Sequence, residues 1–159
     1  MDDVSRKELS SKEGGSSFFQ KCLDQAIVYL SIREHNRREL VTKLRAKGYD
    51  PETIDRVLTR LEETGSLSEE RYVQSFIRSN NRRHPEGRAM LSQRLAAKGA
   101  DRETCRRVLD ETYTEEYTRA LIRQARAQIE RKGKARTEEE IRASLMRLGF
   151  SYRDIRIED

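Results

Sequence analysis

Residues 38–50 read Arg38, Glu39, Leu40, Val41, Thr42, Lys43, Leu44, Arg45, Ala46, Lys47, Gly48, Tyr49, Asp50, and the chain writes this pattern twice. Leu40, Lys43, Leu44, Lys47, Gly48 and Asp50 recur 51 residues on as Leu91, Arg94, Leu95, Lys98, Gly99 and Asp101. The register continues without a gap, because Glu52, Thr53, Arg56, Val57 and Leu58 return as Glu103, Thr104, Arg107, Val108 and Leu109. A period near fifty residues, built from helical spacings, predicts stacked helical units, and such arrays bind extended partners more often than they run chemistry. The pattern begins again at Ile141, Leu145 and Gly149 and the sequence stops at Asp159, so the third unit is expected to be cut short.

Outward from this segment, local signals divide each unit into three helices. Leu23, Ala26, Ile27 and Leu30 fall at i, i+3, i+4 and i+7, the spacing of one buried helix face. Asn36 with Glu39 three residues on predicts a capping box, Gly48 a stop with positive φ, and Asp50 before Pro51 the cap of the next helix. Ile54, Val57, Leu58 and Leu61 bury its inner side and Gly65 ends it. In the second unit Ser66 and Glu69 predict a capping box, Tyr72, Val73, Phe76 and Ile77 a buried stripe, and Pro85 with Gly87 a break. Asp101 caps the helix that carries Cys105, Val108 and Leu109 inward. Thr114 starts a long helix through Leu121, Ile122, Ala125 and Ile129 to Gly133, and Thr137 with Glu140 opens another that ends at Gly149.

No run alternates with period two, so the fold class is all-α: tandem three-helix repeats forming an elongated crescent, the third truncated. The expected boundaries are a disordered tail over 1–17, rich in Ser, Gly and charge, then repeats over 18–65, 66–113 and 114–159.

Composition agrees with a thin helical protein. Of the 159 residues, 35% are hydrophobic and 38% charged, too polar for a deep core and too rich in periodic Leu, Ile and Val for disorder. The net charge of +5 is concentrated between Glu115 and Arg136, where Arg119, Arg123, Arg126, Arg131, Lys132, Lys134 and Arg136 outnumber Glu115, Glu116 and Glu130 by four. Such a surplus suits an acidic partner, nucleic acid or protein. Cys22 and Cys105 both occupy apolar helical positions, which favours buried free thiols in a reducing, cytoplasmic setting. His35 and His84 are too few and too isolated to build a zinc site, no apolar stretch is long enough to span a membrane, and no phosphate loop or nucleophile–base set is visible. The expectation is a protein without cofactor, metal or enzymatic activity, working as a monomer.

The residues that carry a signal are therefore cations. Arg37, Lys43 and Lys47 flank the Leu40 and Leu44 stripe, and Arg88, Arg94 and Lys98 take the matching places one repeat later. Cations in a last helical turn offset the macrodipole whatever else they do. Repetition of all three nevertheless favours a shared binding face, on which exposed cations contribute little to folding. Arg119, Arg123 and Arg126 form a second stripe at i, i+4 and i+7, continued by Lys132. Tyr49, Tyr72 and Phe150 are read as core rather than base-stacking residues, Cys105 as a core residue in the place of Ile54, and His35 as a junction residue beside the Asn36 cap.

The run from Tyr29 through Arg33, Glu34, His35, Asn36, Arg37, Arg38, Glu39 to Leu40, continued by Lys43, Leu44, Lys47, Gly48 and Tyr49, resembles the signature of the RecX family of recombinase regulators. Leu67, Ser68, Glu69, Glu70, Arg71 and Tyr72, at the junction into the second unit, resemble it too, and the likeness covers roughly residues 20–155. It implies a cytosolic bacterial protein of three tandem three-helix repeats that binds the RecA recombinase and the RecA–DNA filament, suppressing ATPase and strand exchange in DNA repair and recombination, with weak DNA binding besides. Asn36 stands where the family usually has Ser, which keeps the cap. The third unit has Ser144 and Leu148 where the repeat would place cations, so its contact is expected from Arg142, Arg147 and Arg153. A helix-turn-helix nucleic-acid-binding regulator is the alternative; it would need a dimer seam and a base-reading recognition helix, whereas here tandem units share cations within one chain.

Overall fold

In a computed structural model, residues 3–133 and 137–156 are described, with side chains from Ser17 onward. Lys134 and Arg136 of the basic run thus lie outside the described residues. Every regular element among those described is an α-helix, and the chain divides into two compact units, residues 1–69 and 70–159.

The first unit holds α1 (Asp3–Ile32), α2 (Arg37–Ala46) and α3 (Pro51–Glu63). α1 begins well before Phe18, through residues whose composition favours a tail. Gly14, Gly15, Ser16 and Ser17 do not end it, since glycine and serine weaken a helix without removing a donor as proline does, and α1 contains no proline. Its buried face centres on Cys22 and Ala26, with Phe19, Leu23, Tyr29 and Leu30 beside them. Ile27, expected on that face, is 47% exposed. A turn of about 100° per residue carries it away from Ala26, and Cys22 takes the central place instead.

Asn36 Oδ1 accepts from the Glu39 amide at 2.7 Å and Asp50 Oδ1 from the Thr53 amide at 2.9 Å, so α2 and α3 start where the sequence predicts. Glu39 Oε2 also lies 2.9 Å from Arg33 Nη1, which ties the start of α2 to the end of α1. Leu40, Leu44, Ile54, Val57, Leu58 and Leu61 meet Cys22 and Ala26 in one core, closed by Leu67. Each fully buried Leu or Ile contributes roughly 1.5–3 kcal/mol of transfer free energy.

The second unit holds α4 (Glu69–Arg83), α5 (Arg88–Ala97), α6 (Arg102–Thr112), α7 (Glu115–Arg131), α8 (Glu138–Arg147) and α9 (Tyr152–Arg156). α4 begins at Glu69 rather than at Ser66. Tyr72, Val73, Ile77, Leu91, Leu95, Cys105, Val108 and Leu109 form one core, and Leu121, Ile122, Ala125, Ile141, Leu145, Phe150 and Ile155 a second, with Tyr113 packed against both. The middle helices α2, α5 and α8 are each 10 residues long and start at equivalent positions of the repeat, Arg37, Arg88 and Glu138. Thr137 and Glu140 complete the capping box of α8, and Thr114 Oγ1 caps α7 by accepting from the Tyr117 amide at 3.2 Å.

Within this unit a glycine pair couples the start of α5 to the end of α8. The Gly87 amide donates to Leu148 O at 2.8 Å, and a Cβ on Gly87 would lie 2.1 Å from Gly149 O. Gly149 has φ +89° and approaches the Met90 amide so closely that its own Cβ would sit 2.6 Å away. Two backbones therefore cross where no side chain fits, a use specific to glycine.

Candidate functional site

The cations named from the sequence fall into distinct environments. Arg37 Nη1 and Nη2 reach Glu62 and Asp55, both at 2.6 Å, tying the start of α2 to α3. Arg88, its repeat equivalent, binds Asp110 through Nε at 2.9 Å and so ties α5 to α6. Lys43 Nζ lies 4.7 Å from the centroid of the Tyr29 ring, a cation–π contact between α2 and α1. Lys47 and Lys98 are exposed at the C-caps of α2 and α5.

Arg94 differs from its counterpart Lys43. Its Nε and Nη2 grip both oxygens of Glu86, at 2.7 and 2.6 Å, and the Glu86 side chain is only 5% exposed. Asn80 Nδ2 donates to the same carboxylate at 3.1 Å, and the Glu86 amide donates to Asn81 Oδ1 at 3.1 Å. Tyr113 OH donates to Glu86 O at 2.8 Å while accepting from Asn81 Nδ2 at 2.9 Å, and Asn81 Nδ2 also reaches Tyr117 OH at 3.1 Å. Burial raises the Tyr113 phenol well above its ordinary pKa, which keeps it a donor. This network fixes the α4–α5 loop. The expectation that the repeated cations contribute little to folding therefore does not hold for Arg94, which neutralises a buried carboxylate in a bidentate grip.

The predicted stripe on α7 is divided in the same way. Arg119 is paired with Glu115 at 2.5 Å, and Arg126 with Glu130 at 3.4 Å and with Glu138 of α8. Among the described residues, Lys47, Arg123 and Lys132 carry no side-chain ion pair and stand exposed. Arg142 and Arg147 are exposed on α8, where Arg147 Nη2 donates to Ser144 Oγ at 3.0 Å. Glu115 and Glu130 are already counted against the surplus, so among the described residues Glu138 of α8 is the one further acid paired with this stripe.

His35 occupies in the first repeat the position of Glu86 in the second. It is 2% exposed, its Nδ1 lies 3.0 Å from Arg33 O, and among the described residues its Nε2 finds no hydrogen-bond partner. A proton on Nδ1, donated to that carbonyl, leaves Nε2 bare, and burial lowers the pKa of the ring below its ordinary value. The sequence places His35 at a junction but gives Glu86 and Asn81 no role. The signal that would have found them is the repeat itself, since Glu86 falls between a helix stop and a cap, in register with His35.

No helix among the described residues is long and apolar enough to cross a membrane.

Comparison with known proteins fits these repeats. Residues 22–61 match the family model of the first three-helix domain of RecX, and residues 68–109 that of the second. The regulatory protein RecX of Prosthecochloris aestuarii is 39% identical over 92 residues, covering 58% of this chain and 61% of the relative. That of Pseudomonas syringae pv. tomato is 43% identical over 86 residues, covering 54% and 55%. The chain thus spans about half the length of the curated relatives it matches. The crystal structure of RecX from Lactobacillus salivarius superimposes with a TM-score of 0.77 at 22% identity, covering 90% of this chain and 95% of that one. A second RecX crystal structure gives 0.80 at 18% identity over 96% and 76%, a likeness of fold. With two successive RecX domain models matched in order on its first two repeats, the chain belongs to the RecX family.

Proposed function

We propose that this protein is a non-enzymatic regulator that binds a RecA-type recombinase and its filament on DNA, restraining ATP hydrolysis and strand exchange in the cytoplasm. The observation that carries this reading is the ordered match of both RecX three-helix domains. The exposed Lys47, Arg123 and Lys132 support it, since they supply positive charge that no acid among the described residues takes up. A filament repeats the same surface at each subunit, so tandem units gain effective concentration from their linkage. Preferring one filament state is then enough to regulate it.

The test is a pull-down with RecA and an ATPase assay, each with and without single-stranded DNA over a salt series. Inhibition that requires the filament is expected, and Lys47→Glu with Arg123→Glu should weaken it without loss of helical content. Binding to free DNA is expected to be weak, and Arg123→Ala should flatten its log–log salt dependence by about 0.7, the share of one phosphate contact. A protein that binds DNA tightly but leaves RecA activity untouched would favour the nucleic-acid-binding alternative.

A further inference from the structure

We propose that the groove between α7 and the end of α8 is a docking site for an acidic peptide segment bearing leucine or isoleucine, contributed by a protein partner. The groove holds about 590 Å³. Ala125, Ile129 and Leu148 give it an aliphatic floor, and Lys132 and Arg147 stand at its rim. Both rim cations are exposed, and the Arg147 guanidinium is steadied by its bond to Ser144 Oγ. Its lining residues include no acid. Apolar volume beneath positive charge is complementary to a segment that offers branched aliphatic side chains and carboxylates together.

One feature favours a peptide over a nucleic-acid strand. His84 is the one aromatic ring among the lining residues, while Pro85, Ala125, Ile129 and Leu148 give aliphatic surface, which suits branched aliphatic side chains better than a run of stacked bases. The inference concerns the chemistry of the occupant and stands whether or not the partner is a recombinase.

The probe is a fluorescein-labelled ten-residue peptide alternating glutamate and leucine, titrated with the full chain and followed by anisotropy. Lys132→Glu with Arg147→Glu should weaken binding by about tenfold or more, and the milder Lys132→Gln with Arg147→Gln should act in the same direction. Arg102→Glu with Arg106→Glu, an equal charge change on exposed residues of α6, should alter it by less than about twofold. A peptide with serine in place of leucine should also bind about tenfold more weakly. Equal loss in the α6 variant, or unchanged binding of the serine peptide, would overturn the proposal, since either means diffuse charge attraction. So would displacement of the peptide by oligothymidylate whose own affinity falls with Lys132 and Arg147, which makes the groove a phosphate site.

Discussion

The loops before α2 and α5 occupy the same place in two copies of one motif, yet they are held by opposite means. In the second repeat the loop carries a buried carboxylate, and four side chains and a neighbouring backbone satisfy it and its peptide groups. Glu86 is gripped by Arg94, Asn80 and Asn81 hold it from α4, Tyr113 takes its carbonyl, and Gly87 docks on Leu148. In the first repeat the equivalent His35 leaves Nε2 bare, Lys43 turns to the Tyr29 ring, and Asn36 supplies the cap that Gly87 cannot. A repeat preserves the apolar skeleton and the stop signals. The polar joints are free to diverge, because each is solved by the residues that happen to surround it.

The most direct way to break this contrast is Gly87→Ala. Its new Cβ would collide with the Gly149 carbonyl, a backbone group that cannot rotate aside. A loss of about 3 kcal/mol or more is expected by denaturant unfolding, the upper range for forced overpacking. Asn36→Gly at the equivalent position should cost only a few tenths of a kcal/mol, as cap glycines do. Similar small losses for both would mean that the glycine crossing does not constrain the second unit.

Arg94→Ala comes next. Breaking a fully buried ion pair from one side costs about 3–5 kcal/mol, but Arg94 is itself 50% exposed, so about 2 kcal/mol is the discounted expectation. Arg88→Ala, whose partner Asp110 is exposed, should cost less than about 1 kcal/mol. If the two cost the same, the Glu86 network has no special place in the fold.

The distinction explains what could be read from the sequence. Caps and stops were legible at Asp50, Thr114, Thr137, Gly48 and Gly149, because a cap needs only the residues within one turn. Apolar stripes were legible because burial of Leu40 and Leu91 follows from their periodicity. What escaped depends on partners distant in sequence. Asn81 reaches Tyr113 and Tyr117, Arg37 reaches Asp55 and Glu62, and nothing in the local pattern separates these from solvated side chains. The same limit applies to the cation face: a count of charges could not tell Arg126, held by Glu138, from exposed Arg123.

The two loops should also differ in their response to acid. Burial holds His35 below its ordinary pKa of 6.5, so as pH falls past that value the unfolded chain binds protons that the folded one resists. The stability that His35 contributes is therefore complete above about pH 6.5 and is lost as pH falls toward its lower folded value. Unfolding free energy measured between pH 7 and pH 5 should decline in the parent and flatten in His35→Gln. An identical slope in the two proteins would assign the acid sensitivity elsewhere.

The smallest expected change is at Cys22, and it tests whether the joints act locally. Cys22 and Cys105 are buried free thiols, one in each unit, and burial pushes the Cys22 pKa up to about 11. Modification by a soluble disulfide reagent at pH 8 therefore requires opening of the surrounding helices, and its rate reports the local opening equilibrium of each unit. Arg94→Ala weakens the second unit only, so modification of Cys105 should quicken by about tenfold for each 1.4 kcal/mol lost. Cys22 should change by less than about twofold, the limit for sites that do not couple. Equal acceleration at both thiols would show that the whole chain opens together, and the Glu86 network would then stabilise a single cooperative protein rather than one joint of a modular array.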